Sequence, residues 1–124
     1  MISRTHRFHG LNSLSFVYKH GTTVRGPFFS VKTALNNRRH TYRVAVVVSR
    51  KVHKSAVARN RIRRRLYEAV RNIEDDIAGP YDIVLSVFNA ELTEVSPAAL
   101  AQLLKKQLGT AGVLAHRVKS ESKA

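Results

Sequence analysis

From Arg50 to Arg65 the chain carries eight Lys or Arg residues and no acidic one, yet apolar residues recur at helical spacing through the same stretch and past it. Ala58, Ile62, Leu66, Ala69, Val70 and Ile73 form a single stripe. The stripe has to be buried and the charges cannot be. The segment is therefore predicted to be a rigid helix docked on a core by one face, not a disordered basic tail. At about 100° per residue, with Ile62 at the stripe centre, Asn60, Arg64, Tyr67 and Arg71 project from the opposite side. Arg61 and Arg63 flank the stripe, and Arg59 and Arg65 sit at the core boundary, where their stems can cover apolar surface.

A helix needs something to dock on, and the remaining pattern supplies a sheet. Phe28 to Leu35 alternates with period two: Phe29, Val31, Thr33 and Leu35 on one side, Ser30 and Lys32 on the other. Tyr42 to Ser49 puts Val44, Val46 and Val48 on one face and Arg43, Ala45, Val47 and Ser49 on the other. Asp82 to Phe88 is apolar on both faces, as a central strand would be. Asn12 to His20 reads as a short first helix, with Leu14, Val17 and Tyr18 on one face and Gly21 closing it. The last helix starts at Ser96 as N-cap with Pro97 in the first position. Leu100, Leu103, Leu104 and Leu108 are its buried face, and Gly109 is its expected end. With a further short strand around Val24, the order is α-β-β-(β)-α-β-α. This is an α+β protein, a small central sheet packed with helices. Residues 1–118 are expected to form one domain and 119–124 a frayed tail. The 44% hydrophobic content supports a packed core, and the absence of cysteine excludes disulfide staples and thiolate metal sites.

The charge distribution narrows the function. The chain has 22 Lys and Arg against eight Asp and Glu, and its first acidic residue is Glu68; sixteen of the basic residues precede it. Such a segment repels itself unless a polyanion neutralises it. Arginine makes up seven of the nine bases from Arg50 to Arg71, and its planar fork grips phosphate bidentately and stacks on bases. The candidates for gripping that polyanion are the loop residues Arg50, Lys51 and Lys54 and the helix residues Arg59, Asn60, Arg61, Arg63, Arg64 and Arg71. A face evolved only for solubility would mix signs to gain i,i+4 pairs. A membrane-surface helix would keep its apolar side free, whereas this one commits it to a core. No apolar run approaches the roughly 18 residues of a membrane span. With no signal-peptide pattern at the N-terminus, the expected location is the cytoplasm.

These residues resemble a known family. Val48 to Arg64, VSRKVHKSAVARNRIRR, is similar to the signature of the protein subunit of bacterial ribonuclease P, with Arg59, Asn60 and Arg61 as its core triplet. Phe16 to Gly21 resembles the end of that family's first helix, and Tyr81 to Val84 the strand after its basic helix. The likeness covers roughly residues 4 to 108. It implies a left-handed β-α-β crossover around the basic helix, an exception to the usual hand. It implies a cofactor role beside a large catalytic RNA that removes the 5′ leader of precursor tRNA, with Mg²⁺ held through the RNA and no protein partner required. The basic loop and helix would meet the catalytic RNA. A cleft between the first helix and the sheet, with Leu14, Tyr18 and Lys32 as candidates, would hold the single-stranded leader. The sequence departs from the family at His53, where glycine is common, at Tyr67, where arginine is common, and at Leu14, where phenylalanine is common. Lys32 lies near a position where the family often has tyrosine.

Independent catalysis finds little support in the residues. A two-metal nuclease needs clustered carboxylates at the phosphate site, and Glu74, Asp75 and Asp76 read as a solvated helix end. His6 and His9 lack the further ligands of a zinc site, and no Walker-type phosphate loop is present. The remaining alternative is a structural RNA-binding protein such as a ribosomal protein, which size, charge and architecture fit equally well.

Overall fold

The computed structural model describes residues 16–19, 21–35, 41–77 and 79–114. Residues 16–19 are helical (α1). They are followed by strands β1 (Thr22–Arg25), β2 (Phe29–Leu35) and β3 (Arg43–Val48), helix α2 (Ala56–Ile73), strand β4 (Tyr81–Val87) and helix α3 (Pro97–Ala111). Short 3-10 turns at Glu74–Asp76 and Ala90–Glu94 join the later elements. Leu14, the pair His6 and His9, and the expected tail lie outside the described residues.

The four strands form one sheet in the order β1-β2-β4-β3. β1 pairs antiparallel with β2, and β2 antiparallel with β4. β3 pairs parallel with β4, Val44 opposite Ile83 and Val46 opposite Leu85. A parallel neighbour requires a crossover, and α2 supplies it, so β3-α2-β4 is the unit around which the family likeness expects the unusual hand. β4 is central, as its two-sided apolar pattern indicated. Its one buried polar residue is Asp82, which is 1% exposed and receives both Nε and Nη2 of Arg43 at 2.9 Å across the β3-β4 ladder. Fork and hydrogen bonds together make a buried carboxylate tolerable.

Period-two alternation gives the sheet two different faces. On one face, Phe29, Val31, Val44, Val46, Val48, Ile83, Leu85 and Val87 pack with Ile62, Leu66 and Val70 of α2 and Leu100, Leu104 and Leu108 of α3. Burial of each such side chain stabilises by about 1.5–3 kcal/mol. On the other face Val17 of α1 is fully buried over Ala34, Ala45 and Val84.

Five details differ from the sequence reading. Leu35 is exposed rather than inward, because β2 ends there at the sheet margin. Ala58 is only half-buried, one turn into α2, where the helix has not yet reached the core. Tyr67 does not project to solvent but packs, partly buried, against the main core. Leu103 is half-buried, and Gln107 takes the buried place on α3, its Nε2 donating to Phe29 O at 3.0 Å. Finally, α3 runs past Gly109 to Ala111, and the left-handed cap is Gly112 at φ 85°. Gly109 is simply a helical residue.

Glu74 and Asp76 are also more than a solvated end. Tyr42 Oη donates to Glu74 Oε1 at 2.7 Å, and Asp76 pairs with Lys105 at 3.3 Å. Burial first, then the hydrogen bond to Glu74 and its charge, pushes the Tyr42 hydroxyl well above its ordinary range.

Candidate nucleic-acid interface

The basic segment resolves into a built loop and a helix face. Ser55 caps α2, its Oγ accepting from Ala58 N at 3.2 Å, and the first turn carries no acidic residue. The helix's positive end is thus left without a side-chain counter-charge. The preceding loop turns through Val52 N to Ser49 O at 3.1 Å, and His53 Nδ1 accepts from Ser55 N at 3.1 Å. Arg59 Nη1 donates to both His53 O and Lys54 O at 2.9 Å. Arg59 therefore ties the loop to the helix. Arg50, Lys51 and Lys54 stand exposed on it.

On the helix, Asn60, Arg64 and Arg71 are exposed, as the angular reading required, and Arg61, read as flanking the stripe, is exposed as well. Arg63 is half-buried and bonds through Nη1 to Asn60 Oδ1. Arg71 pairs with Glu68 at 3.5 Å, an i,i+3 contact between two solvated groups that contributes little. Arg61, Arg64, Arg65 and Glu68 line an open depression of ≈ 380 Å³. Arg65 has a different task from its neighbours. Its guanidinium reaches out of the helix to Leu92 O at 2.8 Å and to Val95 O, fixing the 3-10 turn that leads into α3. Sequence reasoning placed Arg65 at the core boundary but had no signal for these carbonyl partners, which lie 27 and 30 residues away.

The second surface is the α1 face of the sheet. Tyr18 is 45% exposed, as is Phe16, so Tyr18 is not a core residue. Lys32 Nζ lies 5.4 Å from the Tyr18 ring centroid and 3.5 Å from Tyr18 O. Tyr18 and Lys32 are thus brought together beside α1. Gly21 makes this possible. A Cβ there would lie 2.5 Å from Val17 O and 2.8 Å from Thr33 O, so only glycine lets α1 approach β2 so closely. Beyond α1 the same face holds two residues that the sequence reading did not single out, Arg25 and Phe88, stacked at 4.2 Å.

A predominantly cationic loop and helix face suited to phosphates, next to an aromatic and cationic sheet face suited to unpaired bases, define a small α+β RNA-binding protein. The comparisons with known proteins agree. The Ribonuclease P family model matches residues 2–112. The ribonuclease P protein component of Roseiflexus castenholzii is 38% identical over 81 residues, 65% of this chain and 66% of that protein. That of Synechococcus elongatus is 29% identical over 116 residues, 91% of this chain and 95% of that one. The fold is shared with the RNase P protein of Staphylococcus aureus (TM-score 0.76, 24% identity, 89% of this chain and 98% of that one). It is shared also with that of Thermotoga maritima (TM-score 0.72, 24% identity, 81% and 92%). The chain belongs to the ribonuclease P protein family. The matched stretch spans just under two thirds of the length of the Roseiflexus relative.

Proposed function

We propose that this chain is the RNA-binding subunit of a cytoplasmic ribonuclease P and assists a catalytic RNA in removing the 5′ leader from precursor tRNA by phosphodiester hydrolysis. Family membership supports this reading over a ribosomal protein, and one observation carries it within the chain: the division between the two surfaces. The loop and α2 present fixed cations to a folded RNA backbone. The sheet face beside α1 presents Tyr18 and Lys32 to a single strand. Phosphate contacts hold and orient, whereas stacking tolerates any leader sequence.

The chain's own residues bind, orient and neutralise. Mg²⁺ takes hard oxygen ligands such as carboxylates and phosphates. Apart from Glu68, the side chains named on the loop and helix are neutral or cationic, and Glu68 already faces Arg71. They do not fit the metal, so Mg²⁺ belongs with the partner RNA. Among the described residues no helix is long and apolar enough to cross a membrane.

Reconstitution tests the reading. The purified protein alone leaves precursor tRNA intact, and its addition to a ribonuclease P RNA lowers the Mg²⁺ required for cleavage. Absence of stimulation at low Mg²⁺ overturns the subunit role. Cleavage by protein alone overturns the assignment of chemistry to the RNA.

A further inference from the structure

The stacked pair Arg25 and Phe88 occupies a distinct place on the sheet. Arg25 stands opposite Ser30, Ser30 opposite Ser86, and Val47 also opposite Ser86. These four lie on the α1 side, two residues along the strands from the Lys32-Val84-Ala45 row that Val17 covers. Val47 and Arg25 are exposed, and Ser30 and Ser86 half-buried, so α1 leaves this end of the face open. Phe88 follows β4 at the same end and is 39% exposed. β3 and β4 run parallel, so their C-terminal ends coincide and the basic loop that follows β3 begins beside this open end. The pair therefore stands between the Tyr18-Lys32 cleft and the Arg50-Lys54 loop.

We propose that Arg25 and Phe88 form a stacking platform for one unpaired ribonucleotide. The Arg25 guanidinium carbon lies over the Phe88 ring, 4.2 Å from its centroid; a guanidinium held there can still give N–H groups to a phosphate, while ring and guanidinium are both planar groups on which a base can stack. The row around them, Val47, Ser86 and Ser30, contains no acid to repel a phosphate and two hydroxyls able to meet a ribose. A surface phenylalanine kept half-open costs solubility, and pairing it with a cation rather than burying it suits a ligand that brings both charge and a π-face. The nucleotide comes either from the tRNA leader or from an unpaired segment of the partner RNA. Only this choice of source rests on the proposed function.

The chain has no tryptophan, so Phe88→Trp places a single reporter on the platform. Titration with a single-stranded oligouridylate should quench its fluorescence, and Arg25→Ala in the same background should weaken the titration several-fold. An unquenched Trp overturns the platform whatever the protein's role. In the reconstituted holoenzyme, Phe88→Ala should weaken precursor binding roughly 5- to 150-fold, the range of one lost base stack, with Phe88→Tyr retaining most of it. If the loss vanishes on a leaderless tRNA, the nucleotide is a leader nucleotide. If instead assembly with the catalytic RNA weakens by the same factor, it belongs to that RNA. Unchanged affinity in both, with thermal stability preserved, overturns the proposal. A wild-type protein that fails to stimulate any ribonuclease P RNA refutes the proposed function instead, and leaves the fluorescence result to decide the platform.

Discussion

Arg64 and Arg65 are neighbours in sequence with separate duties, and substitution should separate them. Arg65 supplies two hydrogen bonds, to Leu92 O and Val95 O, while Leu92 itself is fully buried. A charged donor contributes about 1.5–3 kcal/mol per bond, and a carbonyl left without its donor costs at least part of that. The two carbonyls are only partly enclosed, so water recovers some of the loss, and Arg65→Ala should destabilise by about 2–4 kcal/mol. In a chain of this size that lowers Tm by on the order of 10 °C. Arg65→Lys keeps the charge but not the fork. It should lose one of the two bonds, about 1–2 kcal/mol, while the salt dependence of RNA binding stays as in wild type. Arg64→Ala should do the opposite. Its side chain stands on the exposed face, so Tm should move by less than about 0.5 kcal/mol equivalent. If Arg64 neutralises one phosphate, the slope of log affinity against log salt should shrink by roughly 0.7–0.9. Thermal melts and filter-binding titrations at several salt concentrations suffice. A stable Arg65→Ala whose salt slope falls as Arg64→Ala does would refute the division of labour.

Two further perturbations test the supports of the interface. Gly21→Ala puts a Cβ against two backbone oxygens that cannot swing aside; it should cost about 1–3 kcal/mol and weaken single-strand binding by shifting α1, and an unchanged Tm would show that the approach is not tight. The Tyr42 hydroxyl is held protonated in the folded state above its ordinary 10.0, so its contribution is complete below pH 10 and declines as pH rises beyond it, where the unfolded chain ionises first. Tyr42→Phe should cost about 1 kcal/mol at neutral pH and flatten that alkaline decline relative to wild type in urea titrations; an identical pH profile would refute the linkage.

Most of the architecture was legible because it follows from periodicity. A two-residue repeat of apolar side chains located β2 and β3, an unbroken apolar run located β4, and the 3.6-residue stripe located α2 with its buried Ile62, Leu66, Ala69, Val70 and Ile73. The misses share a cause. Angular position on a helix says which way a side chain leaves the axis, not what it meets. Tyr67 leaves α2 away from the stripe centre, yet its long ring reaches the core margin. Gly109 carries the residue type of a helix end, but the end is set by where the backbone turns, three residues later at Gly112. Asp82 was read only as the first residue of an apolar strand, because its partner, Arg43, is a cross-strand neighbour visible only once β3 and β4 are in register.

The same limit explains the site. Composition identified every basic residue of the loop and helix but could not rank them, because arginines of identical type divide according to the nearest carbonyl oxygen. Arg59 finds two in the loop behind it and organises that loop. Arg65 finds two in the turn before α3 and anchors it. Arg61 and Arg64 remain displayed on the outer face beside the depression. Topology then fixes what this display adjoins. Because β3 and β4 are parallel, α2 must carry the chain back along the sheet, and the loop entering α2 stands at the end where β4 delivers Phe88. An antiparallel hairpin of β3 and β4 would have put those features at opposite ends. The parallel crossover is therefore the structural reason that a phosphate-gripping loop and a base-stacking sheet face lie close enough to share one RNA.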